Sequence, residues 1–240
     1  MAIMTAGANH QHFDPVKFDE ELIAHGAPAL WQQARVCPCI QEQTGQADPI
    51  CPFCRDYPGI IWDAGTFLRM LAPGRRRSQE YDTAGGWVEG VVTLTFPSTV
   101  TPAHLDRVGF AVGEMVVNNE RHRRGQSDPL GGSLERLRIR PCLSVDFADA
   151  IIGADPTTDP PTGGTLTRYV ADVDFTIEDT GNIVWADSGP PSGIQYTLRY
   201  TTRPTFVCWS PESRDEFGAK MPMRCPARRL DFLEWQSTNG

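Results

Sequence analysis

EDTGNIVWADSGPPSGIQYTLRY, residues Glu178–Tyr200, passes twice from turn-forming to strand-forming residues. Glu178-Asp179-Thr180-Gly181-Asn182 is a turn and Ile183-Val184-Trp185 a strand former, which together predict a hairpin. Gly189-Pro190-Pro191-Ser192-Gly193 is a second turn. Beyond it Tyr196, Leu198 and Tyr200 alternate with polar residues, the period-two pattern of a half-buried strand. Upstream, Tyr169, Ala171, Val173, Phe175 and Ile177 alternate against Val170, Asp172, Asp174 and Thr176 and predict one strand over 169–177. Downstream, Pro204 leads into Thr205-Phe206-Val207-Cys208-Trp209. Short strands at this spacing predict a mainly β fold whose body is an antiparallel barrel or sandwich.

Further strands are expected at Ile60–Trp62, Trp87–Phe96, Glu114–Asn118 and Glu135–Ile139. Leu143–Ile152 reads equally as helix or strand. Pro73–Ala84, Arg121–Gly132 and Ala154–Thr165 read as loops, rich in Gly, Pro and charge. One short helix is expected near the N-terminus, with Asp14 as its cap, Pro15 in its first turn, Phe18, Leu22 and Ile23 as its apolar face and Gly26 as its stop. The chain thus divides into an arm and short helix (1–34), a four-cysteine module (35–60) and a β-rich body with long loops (61–240). No internal repeat stands out.

Four of the seven cysteines fall in two tight pairs, Cys37-Pro38-Cys39 and Cys51-Pro52-Phe53-Cys54. The loop between them carries the turn formers Thr44-Gly45-Gln46 and Asp48-Pro49. Two pairs folded together offer four thiolates to one cation, the closed tetrahedral set of structural zinc. A pair of disulfides or buried free thiols is the plainer alternative, disfavoured by the odd cysteine count and by an N-terminus without secretory character. A redox dithiol at Cys51 and Cys54 is the third, and no βαβ pattern surrounds those residues. A closed site has no open position for water or substrate, so the motif points to a stapled scaffold.

No enzyme is expected. His10, His12, His25, His104 and His122 are scattered, Ser210 lies outside any nucleophile elbow, and there is no phosphate loop or dinucleotide fingerprint. Asp172 and Asp174 would share the solvent face of their strand. Trp62, Trp87, Trp185 and Trp209 are expected in core or subunit packing rather than a ligand cleft. The net charge of -8 argues against general nucleic-acid affinity, although Arg75-Arg76-Arg77 and Arg121-His122-Arg123-Arg124 are local basic clusters. No apolar run is long enough to span a membrane.

Two regions together resemble structural proteins of tailed bacteriophages encoded among the neck genes. One runs from Val36-Cys37-Pro38-Cys39 through Gly45–Cys54 to Ile60-Ile61-Trp62. The other comprises Asp179–Trp185, Tyr196–Tyr200 and Arg203-Pro204-Thr205. Arg55-Asp56-Tyr57-Pro58-Gly59 departs from the short Gly-x-Gly turn of that pattern. The resemblance implies a virion location and a ring-forming head–tail connector of six or twelve copies, with a zinc module at Cys37, Cys39, Cys51 and Cys54. It also implies portal or adaptor and tail proteins as partners, and genomic DNA passing without specific binding. Placement in the tail or baseplate is the near alternative. A cellular zinc ribbon binding nucleic acid or protein is the distant one, weakened because Cys37–Cys54 holds Glu42 and Asp48 and no Lys or Arg.

Overall fold

Asp14 accepts a hydrogen bond from the Val16 amide at 3.0 Å, and Pro15 opens helix α1 (Pro15–His25). Gly26 ends it, donating its N–H to the Leu22 carbonyl. Here glycine is required by space rather than by backbone angle, since a Cβ at Gly26 would sit 2.4 Å from the Leu22 oxygen. Leu22 is fully buried, whereas Ile23, expected on the same face, is exposed. Asp19 fixes the helix to the body by accepting from both the amide and the hydroxyl of Ser98.

The structure is a computed structural model and describes residues 14–48, 51–54, 57–72, 90–127, 133–155, 162–209, 211, 215–216, 219–220 and 222–233. Its strands are β1 (Ala27–Gln32), β2 (Ala34–Val36), β3 (Ile60–Trp62), β4 (Thr66–Met70), β5 (Val91–Thr95), β6 (Arg107–Phe110), β7 (Met115–Arg123) and β8 (Cys142–Asp155). They continue with β9 (Thr162–Tyr169), β10 (Phe175–Ile177), β11 (Ile183–Trp185), β12 (Gln195–Thr202), β13 (Thr205–Cys208), β14 (Asp215–Glu216), β15 (Ala219–Lys220) and β16 (Arg224–Arg229). A last helical turn, α2, covers Leu230–Leu233.

The fold is mainly β, with curled antiparallel sheet forming a half-barrel. One sheet has six strands in the order β4-β1-β6-β13-β16-β5, and another has four in the order β7-β12-β8-β9. The remaining strands form the small ribbons β2-β3, β10-β11 and β14-β15. Two cores result. The first gathers Leu137, Phe175, Tyr196, Leu198 and Tyr200 on the four-stranded sheet, and the second Leu94, Phe96, Val108, Cys208 and Cys225 on the six-stranded one. β13 serves both: Val207 enters the first core and its neighbour Cys208 the second. The hairpin predicted around the 178–182 turn is present as β10-β11, and Tyr196, Leu198 and Tyr200 are all buried on β12.

Four stretches differ from expectation. The strand expected over 169–177 breaks at Asp172, whose φ is +64°. Asp174 accepts from the Val170 amide at 2.8 Å and the Ser188 hydroxyl at 2.7 Å, so the two aspartates build a turn rather than a strand face. Both described ends of the loop expected at 154–165 are strand instead, with Ala154 paired to Gly163 and Asp155 to Thr162, and 156–161 lie outside the described residues. Gly164 faces the partner strand there with no room for a Cβ, which would lie 2.8 Å from the Ala154 amide nitrogen. In the loop expected at 121–132, β7 continues through Arg123, with His122 opposite Tyr196. Glu135–Ile139 joins no ladder and bends at Arg138 and Ile139; Arg136 forms an isolated bridge to Asn182. The N-terminal arm with His10 and His12, Arg75–Arg77, Trp87 and Ser210 lie outside the described residues.

Two buried carboxylates line the first core. Glu120 accepts from the Tyr200 hydroxyl, the His122 Nε2 at 3.0 Å and the Arg138 amide at 2.8 Å. Glu135 accepts from the Tyr196 hydroxyl and Trp185 Nε1, both at 2.8 Å, and from the Gly125 amide at 2.7 Å. Burial alone would raise the Glu120 carboxyl, but the hydrogen bond and charge of His122 with the other two donors outweigh it and hold it below the usual range. A carboxyl lowered on folding contributes stability above its unfolded pKa and loses it as pH falls toward the folded value. Glu120→Gln supplies one acceptor oxygen where three donors converge, so it is expected to cost about 3 kcal/mol at neutral pH. Its stability should also fall less between pH 7 and pH 3 than that of the wild type, measured by urea unfolding at both. Equal acid sensitivity in the two proteins would refute the assignment.

Candidate metal centre

β2 and β3 are the two ends of one excursion. Ala34 pairs with Trp62, Arg35 with Ile61 and Val36 with Ile60, and the cysteine segment projects from that ladder. Its backbone is closed by short-range bonds: the Cys37 amide to the Gly59 carbonyl at 2.8 Å, the Ile40 amide to the Cys37 carbonyl, and the Tyr57 amide to the Cys54 carbonyl. Gly59, at φ +84°, turns the chain back into β3, with the Ile40 side chain against its α-carbon.

These turns bring the four predicted residues together. The Sγ atoms of Cys37, Cys39, Cys51 and Cys54 all lie within 4.8 Å of one another. Cys37 and Cys51 are 3.8 Å apart, and Cys39 and Cys54 3.4 Å. A tetrahedron with metal–sulfur bonds of about 2.3 Å has sulfur–sulfur edges of about 3.8 Å. A disulfide would need about 2.05 Å, and all seven cysteines are free thiols. Cys37, Cys51 and Cys54 are buried and Cys39 is half-buried, with Ala47 and Ile61 packed against the group. The donor set therefore fits a metal ion, and these four residues could hold one.

The thiols differ in their surroundings. Burial would raise Cys51, but the backbone amides of Cys54 and Phe53 and the neighbouring thiols draw it down to about 7. Burial dominates at Cys37 and Cys54 and pushes both upward. Four clustered thiols are thus not all ionised at neutral pH without a cation to neutralise them, which is the condition under which metal binding releases protons.

The module is moored to the body by named contacts. Trp62 Nε1 donates to the Leu105 carbonyl at 2.9 Å, and the Tyr57 and Trp62 rings lie 5.9 Å apart. Asp106, buried between β1 and the module, accepts from Trp31 Nε1, the Ala34 amide and the Ala103 amide, at 2.9, 2.9 and 2.8 Å.

The other cysteines lie elsewhere. Cys142 starts β8, and Cys208 and Cys225 meet inside the second core, where their mutual hydrogen bond and burial push the Cys208 thiol far up. Sequence spacing could not show that meeting, which arises from the pairing of β13 with β16. Asp172 and Asp174 are spent on their turn. The Arg121–Arg124 cluster is divided: Arg121 and Arg123 are exposed, His122 is buried on Glu120, and Arg124 pairs with Glu135 at 3.3 Å. Trp185 packs in the core and Trp209 is half-exposed. Among the described residues no helix is long and apolar enough to cross a membrane. No family model matches the chain, and no curated protein is significantly similar to it.

Proposed function

We propose that this chain is a structural subunit of a tailed-bacteriophage virion, a ring-forming head–tail connector between portal and tail, whose four cysteines hold a structural zinc. The observation that carries the reading is the closed, all-sulfur site at the end of a β ribbon, set beside an antiparallel β body. Four thiolates favour zinc over harder cations and leave no position for a substrate or a reactive water. On this reading the metal supplies folding energy to a segment with almost no apolar core of its own. The residues that carry the phage resemblance are the ones that build the cysteine excursion, the β10-β11 hairpin and the centre of β12. Val36 and Phe53, 68% and 78% exposed beside the metal site, suit a contact with a neighbouring subunit. A cyclic assembly needs two complementary faces of this kind that close head to tail.

Elemental analysis of protein purified without chelator should find about one zinc per chain, as a single four-ligand site requires. Less than about a fifth of an equivalent in fresh, reduced protein would exclude the site. Substituting Cys142, Cys208 or Cys225 should leave the metal content unchanged.

Cys51→Ser should loosen residues 35–57 while the β body keeps its protection. Hydrogen exchange reads both at once, and unchanged protection over 35–57 would contradict a folding role for the metal.

Negative-stain images of the purified chain mixed with a tailed-phage portal protein should show closed rings of six or twelve copies, whether or not the chain alone forms them. A chain that stays monomeric in both preparations is not a connector. Duplex DNA binding at physiological salt should be weak. Tight binding with a steep salt dependence would favour the nucleic-acid-binding alternative.

A further inference from the structure

The four-stranded sheet ends at β7 on one side and at β9 on the other. The β9 side carries exposed apolar surface. Ile151 on β8 and Leu166 on β9 are direct cross-strand partners, and Val170 and Val173 lie in the turn that follows β9. Each of the four leaves more than half of its surface in solvent. Beside Leu166 on the same face, Arg168 forms a two-pronged ion pair with Asp149, both bonds at 2.9 Å, and lies 3.8 Å over the Phe147 ring. That guanidinium is satisfied within the chain, and its stem extends the apolar stripe. Among the described strands none pairs with the outer side of β9. A sheet edge that offers both unpaired backbone and aliphatic side chains is a surface for another chain.

The two margins of the sheet also differ in sign. The turn 170–174 is tied to the loop after β11, because the Ser188 hydroxyl donates to the Asp174 carboxylate at 2.7 Å and the Ala186 amide to the Asp174 carbonyl at 2.8 Å. Those bonds hold Asp172 and Asp187, both exposed, at the β9 margin. Neither carboxylate has a cationic partner among the described residues. On β7, Arg121 and Arg123 are exposed and stand opposite Thr197 and Gln195 of β12. Two residues apart on a strand, they share one face. They too lack an ionic partner among the described residues, whereas Arg124 beside them is paired with Glu135.

From this arrangement we infer that the β9 margin is covered by a second copy of this chain, which brings its β7 arginines against Asp172 and Asp187. The inference rests on the connector reading and names the faces that close the ring. The two faces differ and border the same sheet, so each copy offers one to either neighbour and the contact repeats head to tail. Burial of the aliphatic stripe supplies adhesion, since exposed ion pairs alone hold little. The charges supply direction. Two β9 margins set against each other would bring aspartates onto aspartates, whereas β9 against β7 matches carboxylate to guanidinium.

Two variants of the full chain reverse one margin each: Arg121→Glu with Arg123→Glu, and Val173→Lys with Asp187→Lys. Asp172 is left in place because its φ of +64° suits aspartate better than lysine. Mixed with a tailed-phage portal protein, each variant by itself should form about tenfold fewer rings than the wild type, since its altered margin meets like charge on the next copy. The two variants mixed one to one should recover rings. The introduced glutamates of one then face the introduced lysines of the other, and the two untouched margins match as before. Such alternation needs an even number of copies, and recovery shows that both variants fold. Should a variant fold poorly, the wild-type protein answers instead: hydrogen exchange over 164–173 should be slower in rings than in the free chain. Single variants that assemble as readily as wild type, folded variants that do not recover on mixing, or wild-type rings with 164–173 unprotected would each overturn the inference and leave the connector reading standing. Protection of 164–173 in complexes of portal protein with a single copy of the chain would overturn it too, by giving the margin to the portal. A wild type that forms no rings with portal protein overturns both.

Discussion

The junction between the cysteine module and the β body depends on one buried carboxylate. Asp106 is 1% exposed, and a polar group there costs stability unless donors replace the water it has lost. Trp31 on β1, the Ala34 amide at the start of β2 and the Ala103 amide in the loop before β6 supply them. Three separate parts of the chain are thereby held at fixed distances around one side chain. The start of β2, and with it the base from which Cys37 and Cys39 project, is held by these hydrogen bonds.

The same device recurs in the half-barrel. Glu120 and Glu135 sit where an all-apolar core would place Leu or Phe, and each draws its donors from several elements. Tyr196 and Tyr200 project from the same face of β12 toward them, and the Tyr196 ring stacks on His122 at 5.6 Å. A hydrophobic core tolerates repacking because dispersion has no direction. Hydrogen-bonded carboxylates do not, so they specify which strand meets which. Buried acid thus trades some stability for a defined arrangement of strands with little ladder of their own, such as β11 and the 135–139 segment.

Features that rest on neighbouring residues were legible in the sequence. The Asp14-Pro15 cap, the 178–182 turn, the alternation of Tyr196, Leu198 and Tyr200 and the two cysteine pairs are all local signals, and each stands where it was expected. Most of the misreadings concern an element whose state is decided by a distant partner. Nothing near His122 announces that Glu120 and Tyr196 will keep it in a strand. Nothing near Gly163 and Gly164 announces that Ala154 will pair across them. At 169–177 the alternation was real, but Asp174 found backbone and hydroxyl donors close by, and a carboxylate with local donors competes with the ladder. Cys208 and Cys225 illustrate the limit for sites: the pairing that joins them is invisible to any spacing rule.

The stretch from Glu135 to Arg140 has a consequence for how this gene can change. Its odd positions belong to the interior and its even positions to the surface, so the two are kept apart by parity alone. Single substitutions touch one side at a time. Loss or gain of one codon just upstream would exchange the two sets together, turning guanidinium groups inward and leucine and isoleucine outward. Such a segment drifts in composition far more readily than in length, and insertions in this part of the chain should accumulate in the turns on either side of it.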